Sequence, residues 1–283
     1  MQAIDSARAA AAGRQASLAP LLANLTHALT SPGLPPALRA AITQVLALRT
    51  PADGPVTAET IRQGVAQSGL FLEARIAHGQ PAAPDLKAAL LTLLQSLPPQ
   101  AARPRPHRPD TPPPVRGGTL AGHAPTAPTL SADADLPVIA EALRGETEQA
   151  VARQVLHQLA SLPEGEAAKW LFELPLVTPQ GTAIAQFEID RDEPGRTSDP
   201  DAGPAWRARF SLDIEPLGPV HVHLSLGGER MAVNVWAERE GGLERLRAQS
   251  GDLAGVLDAE VVFRAGPPPA SAPAPGRFVD QTS

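Results

Sequence analysis

Proline is concentrated in one stretch of this chain, and that stretch limits the possible folds more than any other feature. Residues 98–137 contain 11 of the 32 prolines, together with Gly117, Gly118 and Gly122 and almost no large apolar side chain. Such a composition favours an extended, polyproline-like segment over a packed one. We therefore predict a disordered linker between two folded regions.

The residues available for packing also favour small cores. Alanine supplies 51 of the 283 residues, and aromatic residues make up only 3% of the chain. A single compact domain of this length would need more large apolar side chains. The predicted organisation is a disordered N-terminus (1–17), a helical region (18–97), the Pro-rich linker (98–137), an α+β domain (138–264) and a disordered tail (265–283).

Leucines at helical spacing predict the helices of the N-terminal region. Leu18, Leu21, Leu22 and Leu25 form one such series, and Pro32-Gly33 ends it. Further apolar series lie at 38–48, 61–65 and 86–97, and Thr57 and Asp85 are suitable N-caps for the last two. A longer helix is predicted from Leu136 to about Ala160.

Beyond residue 165 the apolar period changes from helical spacing to two. Alternation over 170–176, 183–189, 206–214, 220–226 and 231–237 predicts strands, with turns at Leu217-Gly218 and Gly227-Gly228. A helix and a short strand at 261–263 follow. The pattern predicts an antiparallel sheet packed with helices, and the whole chain is predicted to be α+β.

Charge and cysteine content exclude several classes of protein. Lys and Arg number 24 against 30 Asp and Glu, with no basic run, which argues against a nucleic-acid partner. The absence of cysteine excludes disulfide scaffolds and thiolate metal sites. No apolar run is long enough for membrane insertion, and residues 1–14 do not resemble a Sec-type signal peptide.

No motif in the sequence predicts catalysis or a cofactor. His221 and His223 are spaced so that both side chains lie on one face of a strand, which suits a metal pair. Only Glu215 or Asn234 could supply a third ligand, and the histidine face is predicted to be solvated. We therefore predict a non-enzymatic protein without a metal or a cofactor.

Trp236 lies on the side of its strand opposite Val233 and Val235. An aromatic residue there is either covered by a helix or loop or contacts a partner. Across the predicted hairpin it would share a face with His221, His223 and Asn234. We interpret this face as a candidate interaction patch.

Residues 210–238 resemble the C-terminal domain of bacterial flagellar hook-length control proteins. The resemblance rests on a turn with Pro-Leu-Gly, where the family's pattern is Pro-x-x-Leu-Gly, on valines alternating along the next strand, and on a strand ending in Ala-Glu. The matching residues are Pro216, Leu217, Gly218, Val220, Val222, Leu224, Val233, Val235, Ala237 and Glu238.

The resemblance implies a role in flagellar assembly. Such proteins pass from the bacterial cytoplasm through the flagellar type III export apparatus, contact hook or hook-cap subunits, and help to set hook length. Their C-terminal domain then docks on the cytoplasmic domain of the export switch protein, and export changes from hook-type to filament-type subunits. In this chain the expected partner-binding residues are Leu217, Gly218, Val220, His221, Val222, His223 and Trp236.

A different class of function also fits the sequence. The chain could be a cytoplasmic adaptor that is not secreted and that binds partners through its Pro-rich linker and its C-terminal patch. Export into the medium distinguishes the two functions.

Overall fold

The computed structural model describes residues 2–52, 57–81, 83–98, 109, 111–131, 133–163, 168–191, 206–228, 230–251 and 259–269. The helices in these ranges are α1 (Gln2–Ala12), α2 (Leu18–Ala28), α3 (Pro36–Leu46), α4 (Ala58–Gln67), α5 (Leu72–Ala77), α6 (Leu86–Ser96), α7 (Leu136–Ala160) and α8 (Glu240–Ala248). The strands are β1 (Thr50–Pro51), β2 (Lys169–Thr178), β3 (Gly181–Arg191), β4 (Trp206–Ile214), β5 (Gly218–Gly227), β6 (Arg230–Ala237) and β7 (Glu260–Ala265). The predicted α+β class is confirmed.

The described strands form one sheet in the order β1 to β7. Neighbours from β2 to β6 are antiparallel, whereas β1 joins β2 and β7 joins β6 in parallel. Because side chains alternate across a strand, the sheet has two distinct faces. We call the one that carries Phe172, Phe187 and Val222 the apolar face, and the one that carries Glu188, Ser211 and His221 the polar face.

Polar side chains begin several of the helices. The Ser17 hydroxyl accepts from the Ala19 backbone N–H at the start of α2. Thr57 and Asp85 accept from Thr60 and Ala88 at the starts of α4 and α6. Both predicted N-caps are therefore confirmed.

The larger of the two main cores joins the helices to the sheet. It combines leucines of α2, α3 and α6 with Ile139 and Leu143 of α7 and with Ile184 of β3, all at most 8% exposed. Ile184 lies on the polar face, so the helices cover that face at the β2–β3 end of the sheet. The helical region and the sheet thus share one core.

The smaller core lies on the apolar face at the other end of the sheet. Helix α8 contributes Leu243, which packs against the apolar side chains of β5 and β6: Val220, Val222, Val233, Val235 and Ala237. Rings of Phe172, Phe187 and Phe210 stack across β2, β3 and β4 with centroids 5.2 Å apart at each step. This ladder continues the apolar surface across the middle of the sheet.

The N-terminus differs from the predicted disorder of residues 1–17. Residues 2–12 form α1, which packs along α7, where Ala11 is buried with Ala152 and Leu156. The sequence lacks large apolar side chains here, but alanine allows two helices to approach closely. The interface therefore rests on small residues, which leave no leucine series in the sequence.

The Pro-rich segment also differs from the prediction where the structure describes it. Residues 111–131, which we call the strap, lie against the polar face, and Leu120 and Leu130 are buried. Composition predicted an unpacked linker because the strap has few apolar side chains. Its contacts are made by backbone groups and by a few polar side chains such as Arg116 and His123. Residues 99–108, 110 and 132 of the predicted linker lie outside the described residues, as do residue 1 and residues 270–283 of the predicted disordered ends.

Three smaller elements complete the comparison with the sequence. The short helix α5 and strand β1 were not predicted, and β1 extends the sheet by pairing with β2. Helix α8 ends at Ala248, and residues 252–258, where we predicted its continuation, lie outside the described residues. None of the described helices is both long and apolar enough to cross a bilayer.

A buried ion pair lies between α7 and β2. The Arg153 guanidinium donates to Glu173 Oε1 (Nε–Oε1, 2.7 Å) and to Gln15 Oε1 (2.6 Å), and it also reaches the Pro112 carbonyl (3.2 Å). Burial alone would raise the pKa of Glu173, but the adjacent Arg153 and His157 hold it well below its usual range. Burial lowers the pKa of His157, so the carboxylate is neutralised by Arg153. One arginine thus connects α7, β2, the α1–α2 loop and the strap.

Candidate functional site

The candidate patch predicted from the sequence forms on the polar face of β5 and β6. His221 lies directly opposite Trp236 in the register, and His223 lies opposite Asn234. The rings of His223 and Trp236 are 4.6 Å apart. The prediction that these four residues share one face is confirmed.

The patch is more enclosed than the sequence predicted. His221 and Trp236 are only 6% and 7% exposed. Glu238 Oε1 lies 2.9 Å from His221 Nε2, and the Arg264 guanidinium lies 5.8 Å from the centre of a Trp236 ring. The expectation of a solvated face is wrong, because β7 and the strap approach it from opposite sides.

The other four predicted site residues define the turn and the core beside this patch. Val220 and Val222 are buried in the smaller core, and Leu217 packs at its edge. Gly218 has φ +73°, a left-handed conformation that favours glycine, and a Cβ there would lie 2.4 Å from Arg239 Nε. These residues therefore shape the β4–β5 turn from beneath the patch.

Burial and neighbouring charge set the protonation of His223. Burial, then Arg209, then His221 lower the pKa of His223 to about 4. Its ring is therefore neutral at physiological pH, which suits stacking against Trp236. His221 is held by Glu238, so the two imidazoles have different surroundings despite their spacing.

A charged group next to the patch was not singled out in the sequence. Glu188 of β3 is 1% exposed and receives Lys169 Nζ at 2.7 Å and the Arg209 guanidinium. Burial alone would raise the pKa of Glu188, but these two cations and the Gly117 backbone N–H overcome that effect and lower it. A signal for this group is present in the sequence. Each of three consecutive strands carries charged residues at alternate positions, and the strand register places these residues side by side.

The strap crosses the polar face beside this group, and side chains of the sheet receive its backbone N–H groups. Gly117 donates to Glu188 Oε1 (3.0 Å), Ala121 to Gln186 Oε1 (2.9 Å) and Gly122 to Ser211 Oγ (2.9 Å). We call Glu188, Gln186 and Ser211 the acceptor row.

Beyond the acceptor row the strap pairs with a strand. His123 exchanges two backbone hydrogen bonds with Ile184, both 2.9 Å, at the point where the pairing of β3 with β4 has ended. The His123 ring lies between the Ser17 hydroxyl (2.8 Å) and the Thr111 hydroxyl (3.0 Å). The hydrogen bond at Nδ1 holds the strap to the start of α2, and the one at Nε2 joins two parts of the strap.

The strap and the patch share a small cavity. Gly118, Thr119 and Leu120 line one side, Arg209, His221 and His223 line another, and Pro268 and Pro269 also contribute. Among the described residues, no group of three His, Asp or Glu side chains is placed to hold a metal ion. Aromatic rings, paired charges and side-chain acceptors for backbone N–H groups are suited to binding a polypeptide.

The strands that carry this patch match a known protein family. Residues 195–262 match the family model of flagellar hook-length control protein FliK. Comparisons with curated proteins and with solved structures gave no significant match. The family is regulatory and non-enzymatic, and it is associated with the flagellum. The resemblance noted in the sequence is confirmed, because the C-terminal region of this chain matches the flagellar hook-length control family over residues 195–262.

Proposed function

We propose that this chain controls flagellar hook length and switches export specificity as a substrate of the flagellar type III apparatus. In this proposal the chain leaves the bacterial cytoplasm through the flagellar channel during hook growth and contacts hook or hook-cap subunits on the way. Its C-terminal domain then docks on the cytoplasmic domain of the export switch protein. Export changes from hook-type to filament-type subunits as a result.

One observation carries the proposal: the family match coincides with a structural unit. The matched residues include most of β4 to β7 and α8, and these elements surround the smaller core. A segment with its own core can act as a recognition unit at the end of an exported chain. The small size of that core also favours unfolding for passage through a channel.

We propose the patch formed by His221, His223 and Trp236 as the centre of the docking surface. Leu217, Gly218, Val220 and Val222 would support it by fixing the turn and the strand beneath it. Because His221 and Trp236 are nearly covered, docking would begin at the more exposed Arg264 and Asn234 beside them. A partner with carboxylates opposite Arg264 fits this surface.

A deletion in a flagellated host tests the switching role. We expect a chain lacking residues 206–265 to leave hooks of uncontrolled length with few filaments, as measured by electron microscopy of purified hooks. The control is the full chain with Gly241→Ala, a position where an added Cβ meets no atom within 4 Å. Hooks and filaments of normal length in the deletion strain would overturn the proposal.

Secretion separates this function from that of a retained adaptor. The proposed substrate appears in the culture medium of a strain with an intact flagellar export apparatus and disappears when the export ATPase or gate is removed. An adaptor stays in the cells in both strains. Immunoblotting of medium and cell fractions, with a cytoplasmic enzyme as the lysis control, gives the answer.

A further inference from the structure

The strap is bound in the way that a peptide ligand is bound. Outside the single pairing with Ile184, the backbone N–H groups of Gly117, Ala121 and Gly122 are received by side chains of the acceptor row and not by a strand. All three acceptor residues are at most 4% exposed. The polar face thus presents pre-positioned side-chain acceptors to an extended chain that lies across it.

The path of the strap is set by one glycine. A Cβ at Gly122 would lie 2.3 Å from Leu212 Cα and 2.5 Å from Leu212 C, both backbone atoms of β4. Any larger residue must therefore lift the strap away from the sheet. Five prolines between residues 111 and 131 keep the strap extended before it binds, which reduces the conformational entropy lost on docking.

The acceptor row remains electrostatically satisfied when the strap leaves. Glu188 loses the Gly117 N–H but keeps Lys169 Nζ at 2.7 Å and the Arg209 guanidinium. Gln186 and Ser211 are neutral, and water can replace the N–H groups that they lose. Leu120 and Leu130 are the large apolar side chains that the strap buries among its described residues. Opening of residues 117–122 therefore leaves no charge of the acceptor row unpaired, while the ends of the strap stay held by Arg153 at Pro112 and by Asn24 at Thr129 and Leu130.

We propose that the acceptor row is a peptide-binding site that the strap occupies in cis, and that an extended proline-rich segment of a protein partner occupies it when the strap leaves. The ligand must present backbone N–H groups with the spacing of residues 117, 121 and 122, and glycine opposite Leu212. This inference does not rest on the flagellar role, because purified protein is sufficient to test it.

Hydrogen exchange on the intact wild-type chain tests whether the strap leaves by itself. The amides of Gly117, Ala121, Gly122 and His123 should exchange roughly 100-fold faster than the central amides of β3 and β5, through a local opening. Equal protection of the strap and these strands would make the strap an inseparable part of the fold and would overturn the proposal.

A labelled peptide of residues 111–131 then tests the site in trans. In the wild-type chain the strap competes at an effective concentration of roughly millimolar, so little peptide binds. In the full chain with Gly122→Ala the strap is displaced, and fluorescence anisotropy should show affinity about tenfold higher or more. The same peptide carrying Gly122→Ala is the ligand control and should not bind.

A second substitution keeps the result interpretable. Gly33→Ala, at a position with no atom within 4 Å of an added Cβ, should bind peptide as weakly as the wild-type chain. Circular dichroism establishes that both variants are folded. A folded Gly122→Ala chain with no gain in peptide binding, or a gain that the control peptide shares, would overturn the proposal.

Discussion

The two ends of the sheet cover the same polar face by different means. At the β2–β3 end, helices and the large leucine core enclose Arg153 and Glu173, whose side chains are 1% and 0% exposed. At the β5–β6 end, the strap lines a small cavity with His221, Arg264 of β7 lies over Trp236, and Glu238, the partner of His221, is 41% exposed. The first end has the features of a fixed structural joint. The second has its own core on the opposite face of the sheet, and it is the end that matches the hook-length control family.

The largest effect is expected where charge is most deeply enclosed. Arg153→Met leaves the Glu173 carboxylate buried without its cation, and breaking such a pair typically costs about 3–5 kcal/mol. We expect the urea midpoint of unfolding to fall accordingly. In the double variant Arg153→Met, Glu173→Leu no buried charge is left unpaired, so much of the loss should be recovered.

This pair of variants separates charge from packing. If the double variant is as unstable as Arg153→Met alone, the lost contacts of Arg153 with Gln15 and Pro112 matter more than the charge. A loss below about 1 kcal/mol for the single variant would contradict the description of this end as a fixed joint.

A second prediction concerns the smaller core and two adjacent glycines of α8. A Cβ at Gly242 would lie 2.2 Å from the Leu217 carbonyl oxygen, whereas a Cβ at Gly241 meets no atom within 4 Å. Gly242→Ala should therefore push α8 away from the β4–β5 turn and cost about 1–3 kcal/mol. Gly241→Ala should be neutral or stabilising by up to about 1 kcal/mol, because alanine favours helix.

Thermal unfolding of both variants provides the measurement. Equal effects would mean that helix propensity, and not the contact with Leu217, explains these glycines. The sequence suggests only that the pair weakens the start of the helix. What distinguishes Gly242 from Gly241 is the contact with Leu217. That contact depends on how the fold brings the β4–β5 turn, 25 positions earlier in the chain, against α8.

The sequence predicted regular elements well and irregular contacts poorly. Alternating valines predicted β5 and β6 and, through their register, the shared face of His221 and Trp236. The strap and α1 were missed for a related reason. Their contacts come from backbone N–H groups and alanine surfaces, which leave no apolar period in the sequence. Composition indicates how much apolar surface a segment buries, but not whether another element presents acceptors to its backbone.

A third prediction uses an acid of the helical layer that has no cation beside it among the described residues. Burial raises the pKa of Glu146 to about 7, although Asn24 donates to it at 2.6 Å. The ordinary value is 4.5, so as pH rises the unfolded chain releases its proton first. The wild-type chain should lose stability from pH 4.5 to 7 and remain lower above pH 7.

Glu146→Gln removes this titration. The variant should match the wild type near pH 4 and exceed it by about 1–2 kcal/mol at pH 8, as measured by urea unfolding at each pH. Glu148→Gln, at an exposed position of the same helix, is the control and should show no such divergence. Parallel curves for Glu146→Gln and the wild type would contradict the assignment of a buried, unpaired acid. Asn24 also receives the backbone N–H groups of Thr129 and Leu130 in the strap. A change in the hydrogen-exchange protection of the strap between pH 5 and 8 would show that the titration of Glu146 also affects the strap.

The smallest effect is expected from an ion pair with the same chemistry as Arg153 and Glu173 but in the opposite environment. Arg239 Nη1 lies 2.7 Å from Glu215 Oε1 within the residues that match the family, and the two side chains are 51% and 52% exposed. Solvent screens such a pair, and ordering two long side chains offsets most of what remains. Arg239→Met should leave the urea midpoint unchanged within error at low and at high salt. A loss of stability approaching that of Arg153→Met would show that the distance between the charges alone determines the strength of these ion pairs. The contrast between the two ends of the sheet would then need a cause other than burial.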